Sequence, residues 1–209
     1  MPQVTDEMSV VHIVDDDESL RCAVDCLCRS IGFQTRMYAS AQEFVDAKRD
    51  DLVGCLVLDV RLPGISGLDF QSKLTELGIH LPAILITGHG DIPMSVRAMK
   101  AGAVDFLPKP FRDQDLLDAV TAAIERDRKR RVTDSGTALV RDRYLKLSPR
   151  EQQVMMLVTT GKMNKQVAGE LGLSEITVKI HRGAAMRKMG ARTLADLVRM
   201  ADGLETKSP

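Results

Sequence analysis

Cys55-Leu56-Val57-Leu58-Asp59 is the stretch that decides the fold, because four consecutive apolar residues are followed directly by an aspartate. An uninterrupted apolar run of strand length is typical of a strand that is buried on both faces, as in a parallel sheet covered by helices. The carboxyl end of such a strand lies at the edge where α/β proteins bind their ligands. The stretch therefore predicts a buried strand with a functional carboxylate at its end.

Short apolar runs on either side of this stretch predict four more strands, at residues 9–14, 33–37, 83–86 and 104–107. The segments between the strands carry apolar residues at helical spacing. Strands that alternate with helices favour a doubly wound α/β domain with a five-stranded parallel sheet that helices cover on both faces.

The charge distribution divides the chain, although its net charge is zero. Residues 1–125 carry 11 Lys and Arg against 20 Asp and Glu, whereas residues 146–209 carry 11 against 6. A basic second half suits nucleic acid as a partner. Between the halves, a charge-dense segment leads into Thr-Asp-Ser-Gly-Thr without an apolar period. We therefore expect one domain at 1–126, a linker at 127–146 that an extension of the preceding helix can enter, and a second domain at 147–209.

The second domain has an all-helical pattern with four helices. Ser148, Pro149 and Glu151 form the signature of a capping box at the first of these helices. Two short helical patterns joined by Gly172-Leu173-Ser174 predict a helix-turn-helix. A recognition helix that starts after this turn would present its first residues to the major groove of DNA.

Polar residues follow the predicted strands of the first domain, and they belong at one edge of the sheet. Asp15 and Asp16 end the first strand, Asp59 the third, Thr87 the fourth and Lys109 the fifth. Clustered carboxylate oxygens suit Mg²⁺, which also binds phosphate oxygens. A hydroxyl and an ammonium group would complement a phosphoryl group on the nucleophilic carboxylate of Asp59. The sequence therefore predicts a magnesium-dependent phosphoacceptor site.

The motifs around these residues closely resemble those of CheY-like receiver domains. They are Ile13-Val14-Asp15-Asp16, Leu58-Asp59-Val60-Arg61-Leu62-Pro63-Gly64, Ile86-Thr87-Gly88 and Phe106-Leu107-Pro108-Lys109-Pro110-Phe111. The resemblance implies that Asp59 accepts phosphate from a phosphohistidine of a sensor histidine kinase. It also implies that Asp16, Asp59 and the backbone carbonyl of Arg61 ligate Mg²⁺ directly, and that Asp15 acts through water. Thr87 and Phe106 would form the conformational switch.

The second domain resembles LuxR-type DNA-binding domains in the same way. The resemblance rests on Leu147-Ser148-Pro149-Arg150-Glu151, Gly161-Lys162-Met163-Asn164-Lys165-Gln166-Val167-Ala168, Leu171-Gly172-Leu173-Ser174 and Thr177-Val178-Lys179-Ile180-His181-Arg182. With the receiver motifs, it indicates the FixJ branch of two-component response regulators. The expected DNA contacts are Lys165, Thr177, Lys179, Ile180, His181 and Arg182. Dimerisation through the last helix would place Leu194, Leu197, Val198 and Ala201 at an interface.

The favoured function is phosphorylation-controlled transcription regulation rather than enzymatic turnover. The expected partners are the sensor kinase, double-stranded promoter DNA, RNA polymerase and, on phosphorylation, a second copy of the chain. The sequence shows no apolar run of membrane-spanning length and no signal peptide, so we expect a cytoplasmic protein. Two alternatives remain open. One is a magnesium-dependent enzyme that handles small phosphate compounds, and the other is a degenerate receiver that serves as a phosphorylation-independent DNA-binding scaffold.

Overall fold

The structure, a computed structural model, describes residues 9–47, 52–88 and 92–205, and the chain forms two compact units. The first unit is Met1–Arg130 and the second is Arg131–Pro209. In the part of the chain that the structure describes, no helix has the length and apolar character needed to cross a membrane.

The first unit is built on one parallel sheet of five strands in the order β2-β1-β3-β4-β5. The strands are β1 (Val10–Val14), β2 (Gln34–Tyr38), β3 (Gly54–Asp59), β4 (Ala83–Thr87) and β5 (Asp105–Pro108). All six residues of β3 are buried, as the apolar run that identified it predicted. The doubly wound parallel sheet is therefore confirmed. The direction in which successive strands are added to the sheet reverses between β1 and β3.

Five helices flank or follow these strands: α1 (Glu18–Ser30), α2 (Ala41–Asp46), α3 (Gly67–Lys73), α4 (Ile92–Lys100) and α5 (Asp113–Leu145). Their apolar residues form two separate cores, one on each face of the sheet. Alternate residues of β3 point into opposite cores, so that Leu56 and Leu58 join one and Cys55 and Val57 the other. The sheet is thus covered on both sides.

A buried carboxylate of α5 contacts the start of β3. Gly54 has a left-handed φ of +118°, and a Cβ there would lie 2.0 Å from the carbonyl oxygen of Val10. Only glycine permits this approach of β3 to β1. The amide of Gly54 donates to Asp127 Oδ2 at 3.1 Å, and Arg130 pairs with the other oxygen of Asp127 at 2.6 Å. Asp127 therefore holds the helix against the sheet at the end opposite to Asp59.

The predicted linker is helical throughout residues 127–145, because α5 continues to Leu145. Val140 and Tyr144, near its end, pack against the core of the second unit. The remaining helices of that unit are α6 (Pro149–Thr159), α7 (Asn164–Leu171), α8 (Glu175–Met189) and α9 (Leu194–Glu205). The capping box of Ser148 and Glu151 is present at the start of α6, as predicted.

The four cysteines fall into two environments within the first unit. Cys22 and Cys26 are exposed on α1, whereas Cys28 and Cys55 are buried in the core between α1 and the sheet. Burial raises the pKa of the Cys28 thiol to about 11, and it raises the pKa of Cys55 further. All four are free thiols.

Candidate functional site

The carboxyl ends of four neighbouring strands bring the predicted pocket residues together. Asp15 follows β1 directly, Asp59 is the last residue of β3, Thr87 is the last residue of β4 and Lys109 follows β5. The parallel register places Asp59 beside Ile86 and Thr87 beside Pro108. Because all these strands run in the same direction, their polar ends meet at one edge of the sheet.

Lys109 holds two buried aspartates in this pocket. Its Nζ lies 2.8 Å from Asp15 Oδ2 and 3.0 Å from Asp59 Oδ1. Asp15 is fully buried and Asp59 is 4% exposed, while the lysine side chain keeps 23% of its surface accessible. The backbone amide of Arg61 donates to the second oxygen of Asp59 at 3.1 Å. The Asp59 carboxylate is therefore fixed in orientation by two donors, Lys109 and the Arg61 amide.

The pocket contains more negative than positive charge, since one ammonium group faces two buried carboxylates. Burial and the nearby Asp15 carboxylate raise the pKa of Asp59, although Lys109 and the Arg61 amide oppose this shift. Burial works to lower the pKa of Lys109, but its hydrogen bonds to Asp15 and Asp59 outweigh that effect and raise the pKa. Lys109 therefore stays protonated, and Asp59 carries an incompletely neutralised charge.

The carboxylates of Asp15, Asp16 and Asp59 lie close enough together to hold a metal ion. One oxygen from each of the three lies within 4.8 Å of the others, and Asp16 is exposed where the other two are buried. Hard carboxylate oxygens with access to water fit Mg²⁺, which retains several of its waters. An open cleft beside this cluster is lined by Asp16, Arg61, Ser66 and Met94, among others. The donor set fits the predicted cation.

The two predicted switch residues lie on neighbouring strands. Thr87 is fully buried, whereas Phe106 is half-buried and packs against the core on one face of the sheet. In the register of β4 with β5, Phe106 of β5 lies beside Leu85 of β4, and Thr87 lies two residues after Leu85 on β4. Because side chains two residues apart on a strand point to the same face, Thr87 and Phe106 lie on the same face of the sheet.

In the second unit, α7 and α8 form the predicted helix-turn-helix. Gly172 ends α7 in the left-handed conformation, and the hydroxyl of Ser174 caps α8 by accepting from the amide of Thr177 at 3.1 Å. Val178 is fully buried in the core of this unit. The turn chemistry and this buried residue fix which side of α8 faces outward.

The predicted DNA contacts differ in their accessibility. Lys165 on α7 and Lys179 and Ile180 on α8 are exposed. Thr177, His181 and Arg182 are half-buried; the Thr177 hydroxyl bonds to Ser174, and the Arg182 guanidinium donates to Asn164 Oδ1 at 3.3 Å. The motif alone did not single out Ile176, which is 74% exposed one helical turn before Ile180. Its i, i+4 spacing to Ile180 was the available signal.

Two of the four residues expected at a dimer interface are buried within the second unit. Leu197 is fully buried and Ala201 is 4% exposed, and both belong to the core of the second unit itself. These two side chains therefore pack inside the unit, and the dimer interface itself stays a prediction. Leu194 is 36% exposed and Val198 is half-buried, so these two residues retain accessible surface.

Comparison with known proteins matches both units to families. The response regulator receiver domain model matches residues 11–121, and the model of bacterial regulatory proteins of the luxR family matches residues 145–201. Nodulation protein W of Bradyrhizobium diazoefficiens is 60% identical over 196 residues, covering 94% of this chain and 86% of that protein. Response regulator protein TodT of Pseudomonas putida is 46% identical over 202 residues, covering 97% and 89%.

A solved structure of the response regulator StyR has the same fold, with a TM-score of 0.81 and 46% identity over 93% of this chain and 98% of that one. A receiver fold with an acidic pocket, followed by a helix-turn-helix, defines the class of transcription regulators controlled through a receiver domain. The chain belongs to the response regulator family, with a DNA-binding domain of the LuxR type.

Proposed function

We propose that Asp59 is the phosphoacceptor and that its phosphorylation by a sensor histidine kinase switches the second unit to promoter DNA binding. The observation that carries this proposal is the contact of Lys109 Nζ with both Asp15 and Asp59 at the end of the sheet. A carboxylate that is oriented by two donors, yet carries uncompensated charge, is suited to attack an electrophilic phosphorus atom.

In the transfer, an oxygen of Asp59 bonds to phosphorus while the bond from phosphorus to the kinase histidine nitrogen breaks. The imidazole leaves, and an acyl phosphate forms on Asp59. Lys109 pairs with a phosphoryl oxygen, and the Thr87 hydroxyl donates to another. Asp16, Asp59 and the Arg61 carbonyl would hold Mg²⁺, with Asp15 acting through water, and the cation supplies positive charge to the phosphoryl oxygens.

Movement of the Thr87 hydroxyl couples phosphorylation in the pocket to a change at the surface of the first unit. When the hydroxyl turns towards the phosphoryl group, it leaves space on the face of the sheet where Phe106 lies beside Leu85, two residues before Thr87. An inward movement of the Phe106 ring then changes the surface formed by α4, β5 and α5. This change favours a homodimer and thereby binding to paired DNA half-sites. Recruitment of RNA polymerase would follow at the promoter.

For the domain organisation we propose a receiver at 1–126, a connecting segment at 127–146 and a DNA-binding domain at 147–209. The helical continuation of α5 to Leu145 gives the connecting segment a regular structure. Within the DNA-binding domain, exposed Lys179 and Ile180 are suited to read base edges, and Lys165 is suited to contact a phosphate.

Phosphorylation is tested by incubating the full chain with acetyl phosphate and Mg²⁺ and measuring intact mass and sedimentation. We expect one phosphoryl adduct and a shift to dimer for the wild type, and no adduct for Asp59→Asn. Asp46→Asn, which removes an exposed carboxylate of the same unit, should leave the adduct unchanged. An unmodified wild type would support the scaffold alternative, and catalytic release of phosphate from small esters would support the enzyme alternative.

DNA reading is tested with a duplex that the wild-type chain selects from a randomised pool. Lys179→Ala should weaken binding to this duplex roughly tenfold and leave binding to a scrambled duplex nearly unchanged. Lys165→Ala should weaken binding to both duplexes alike and reduce the salt dependence by about one counterion. Equal effects of the two variants on both duplexes would argue against base reading by Lys179.

A further inference from the structure

Arg143, in the last turns of α5, contacts the end of the helix that carries the predicted DNA contacts. Its Nη1 donates to the carbonyl oxygen of Met189, the last residue of α8, at 2.9 Å. The backbone around Arg143 is itself fixed, because Tyr144 packs against the core of the second unit and its carbonyl accepts from Gln152 Nε2 at 3.2 Å. Arg143 therefore joins α8 to a firmly held segment.

The C-terminus of α8 is shaped to receive this guanidinium group. Gly190 ends the helix with a φ of +73°, and a Cβ at this position would lie 2.8 Å from Arg143 Nη1. The last carbonyls of a helix have no partners within the helix and carry a partial negative charge. A cation donating to one of these carbonyls is a favourable interaction in both respects.

The opposite end of α8 carries the residues proposed to read DNA. The helix has 15 residues, which corresponds to about 22 Å, so a small change of tilt at Met189 moves Lys179 and Ile180 relative to the rest of the unit. A second contact, between Lys188 Nζ and Glu151 Oε2 at 2.6 Å, ties the same end of α8 to α6. Lys188 and Glu151 lie within residues 145–201, which the luxR family model matches, whereas Arg143 lies before this range.

We propose that Arg143 is a positioning residue for DNA recognition: it holds the C-terminus of α8 and so sets the angle at which α8 presents its base-reading residues. The proposal rests on the DNA-reading role of α8 proposed above. It adds that the last turns of α5 determine how selectively the second unit reads sequence.

The test compares Arg143→Ala, Arg143→Lys and Arg143→Gln in the full chain, treated with acetyl phosphate and Mg²⁺. The probes are the duplex selected by the wild-type chain and a scrambled duplex of the same composition. We expect Arg143→Ala and Arg143→Gln to reduce the preference for the selected duplex roughly tenfold. Arg143→Lys should restore most of this preference, because it keeps a cation near the Met189 carbonyl.

Arg141→Ala is the matched control, since Arg141 is an exposed arginine on the same helix, two residues earlier. Removing its charge should weaken binding to both duplexes by the same small factor, because it changes only the general attraction to phosphates. Thermal unfolding of each variant shows which variants are folded at the assay temperature. If Arg143→Ala is unfolded at that temperature, the contrast between Arg143→Lys and Arg143→Gln still measures the effect of the positive charge.

A wild-type preference for the selected duplex in Arg143→Ala or Arg143→Gln would overturn the proposal. So would an equal loss on both duplexes, which would indicate a role in stability alone. Failure of the wild-type chain to select any duplex would contradict the DNA-binding function itself, and the inference would fall with it. The behaviour of the wild type therefore separates the two failures.

Discussion

Each unit of the chain has a carboxylate with little accessible surface beside a lysine, Asp59 in the first and Glu151 in the second, and the pKa values of these two carboxylates move in opposite directions. In the first unit, Asp59 lies 3.0 Å from Lys109, and burial together with Asp15 raises its pKa. In the second unit, Glu151 lies 2.6 Å from Lys188, and its pKa is lowered, first by the hydrogen bond from Lys188 and then by the amide of Ser148.

The difference lies in how each charged form is stabilised. Glu151 has one lysine to itself and closes a capping box, so hydrogen bonds stabilise its charged form. Asp59 shares one lysine with Asp15, so its charge is only partly compensated in the absence of a cation or a phosphoryl group. Both carboxylates contact a lysine, yet desolvation outweighs the donors at Asp59, with Asp15 adding to it, whereas hydrogen bonds outweigh desolvation at Glu151.

The largest effect should come from removing the shared lysine. Lys109→Met leaves two buried carboxylates facing each other, and we expect the free energy of unfolding of the first unit to fall by about 3 kcal/mol without divalent cations. Mg²⁺ should restore more stability to this variant than to the wild type. Urea unfolding, followed by hydrogen exchange of peptides from each unit, measures both effects. Exposed Lys73→Met is the control, and equal stability of Lys109→Met and wild type would contradict the charge balance described for the pocket.

The second-largest effect on stability is expected from Glu151, the carboxylate that has its own lysine. Glu151→Gln should lower the free energy of unfolding of the second unit by about 2 kcal/mol at pH 7, because a charge-assisted contact and part of a helix cap are lost. The folded pKa of Glu151 lies below the ordinary value of 4.5, so its contribution is complete above pH 4.5 and is lost as the pH falls through the folded pKa.

The difference between wild type and Glu151→Gln should therefore shrink in acid, which unfolding at pH 7 and below pH 4.5 tests. Glu170→Gln breaks an exposed pair with Lys162 and should cost less than about 0.5 kcal/mol. A penalty for Glu151→Gln that stays constant with pH would show that the charge of Glu151 does not stabilise the unit.

The third effect should have the opposite sign. Asp59→Asn removes the uncompensated charge, and we expect the free energy of unfolding of the first unit to rise at pH 7 without Mg²⁺. Because the folded pKa is raised above 3.8, the wild-type carboxylate costs stability above its folded pKa, and this cost disappears as the pH falls towards 3.8. Chemical unfolding at both pH values measures it, and a less stable Asp59→Asn protein at pH 7 would contradict the comparison.

The smallest effect tests a neutral position on α8. Gly183 lies within the helix, and a Cβ there would meet only Arg187 Nη1, at an ordinary distance of 3.6 Å. Gly183→Ala should therefore raise the stability of the second unit by up to about 1 kcal/mol through helix propensity. Gly169→Ala on α7, where a Cβ meets nothing within 4 Å, is the control with the same expected gain. Destabilisation at Gly183 alone, measured by thermal unfolding, would reveal a steric constraint.

The sequence predicted the sheet and its polar edge because both depend on local signals that repeat along the chain. Each strand is a short apolar run, and Asp15, Asp59, Thr87 and Lys109 each stand at or next to the end of one. Once the strands are parallel, topology alone brings these four residues together. The helix-turn-helix was equally accessible, since Gly172, which ends α7, and Ser174, which caps α8, are local features.

Other features lay beyond the sequence because they depend on distant partners. Residues 127–145 contain Thr-Asp-Ser-Gly-Thr, which favours a loop, yet buried Asp127 and the packing of Val140 and Tyr144 accompany a continuous helix. The contacts from Asp127 to Gly54 and from Arg143 to Met189 span 73 and 46 residues. Likewise, the apolar stripe of α9 could not reveal that Leu197 and Ala201 face the core rather than another molecule.

The uneven placement of the four thiols offers a practical tool. A maleimide dye or spin label, which reacts with accessible thiolates, should attach to Cys22 and Cys26 and spare Cys28 and Cys55. Both reactive positions lie one turn apart on α1, so the natural chain accepts reporter groups on a single short surface without any substitution. Such labels leave the pocket of Asp15, Asp59 and Lys109 chemically intact.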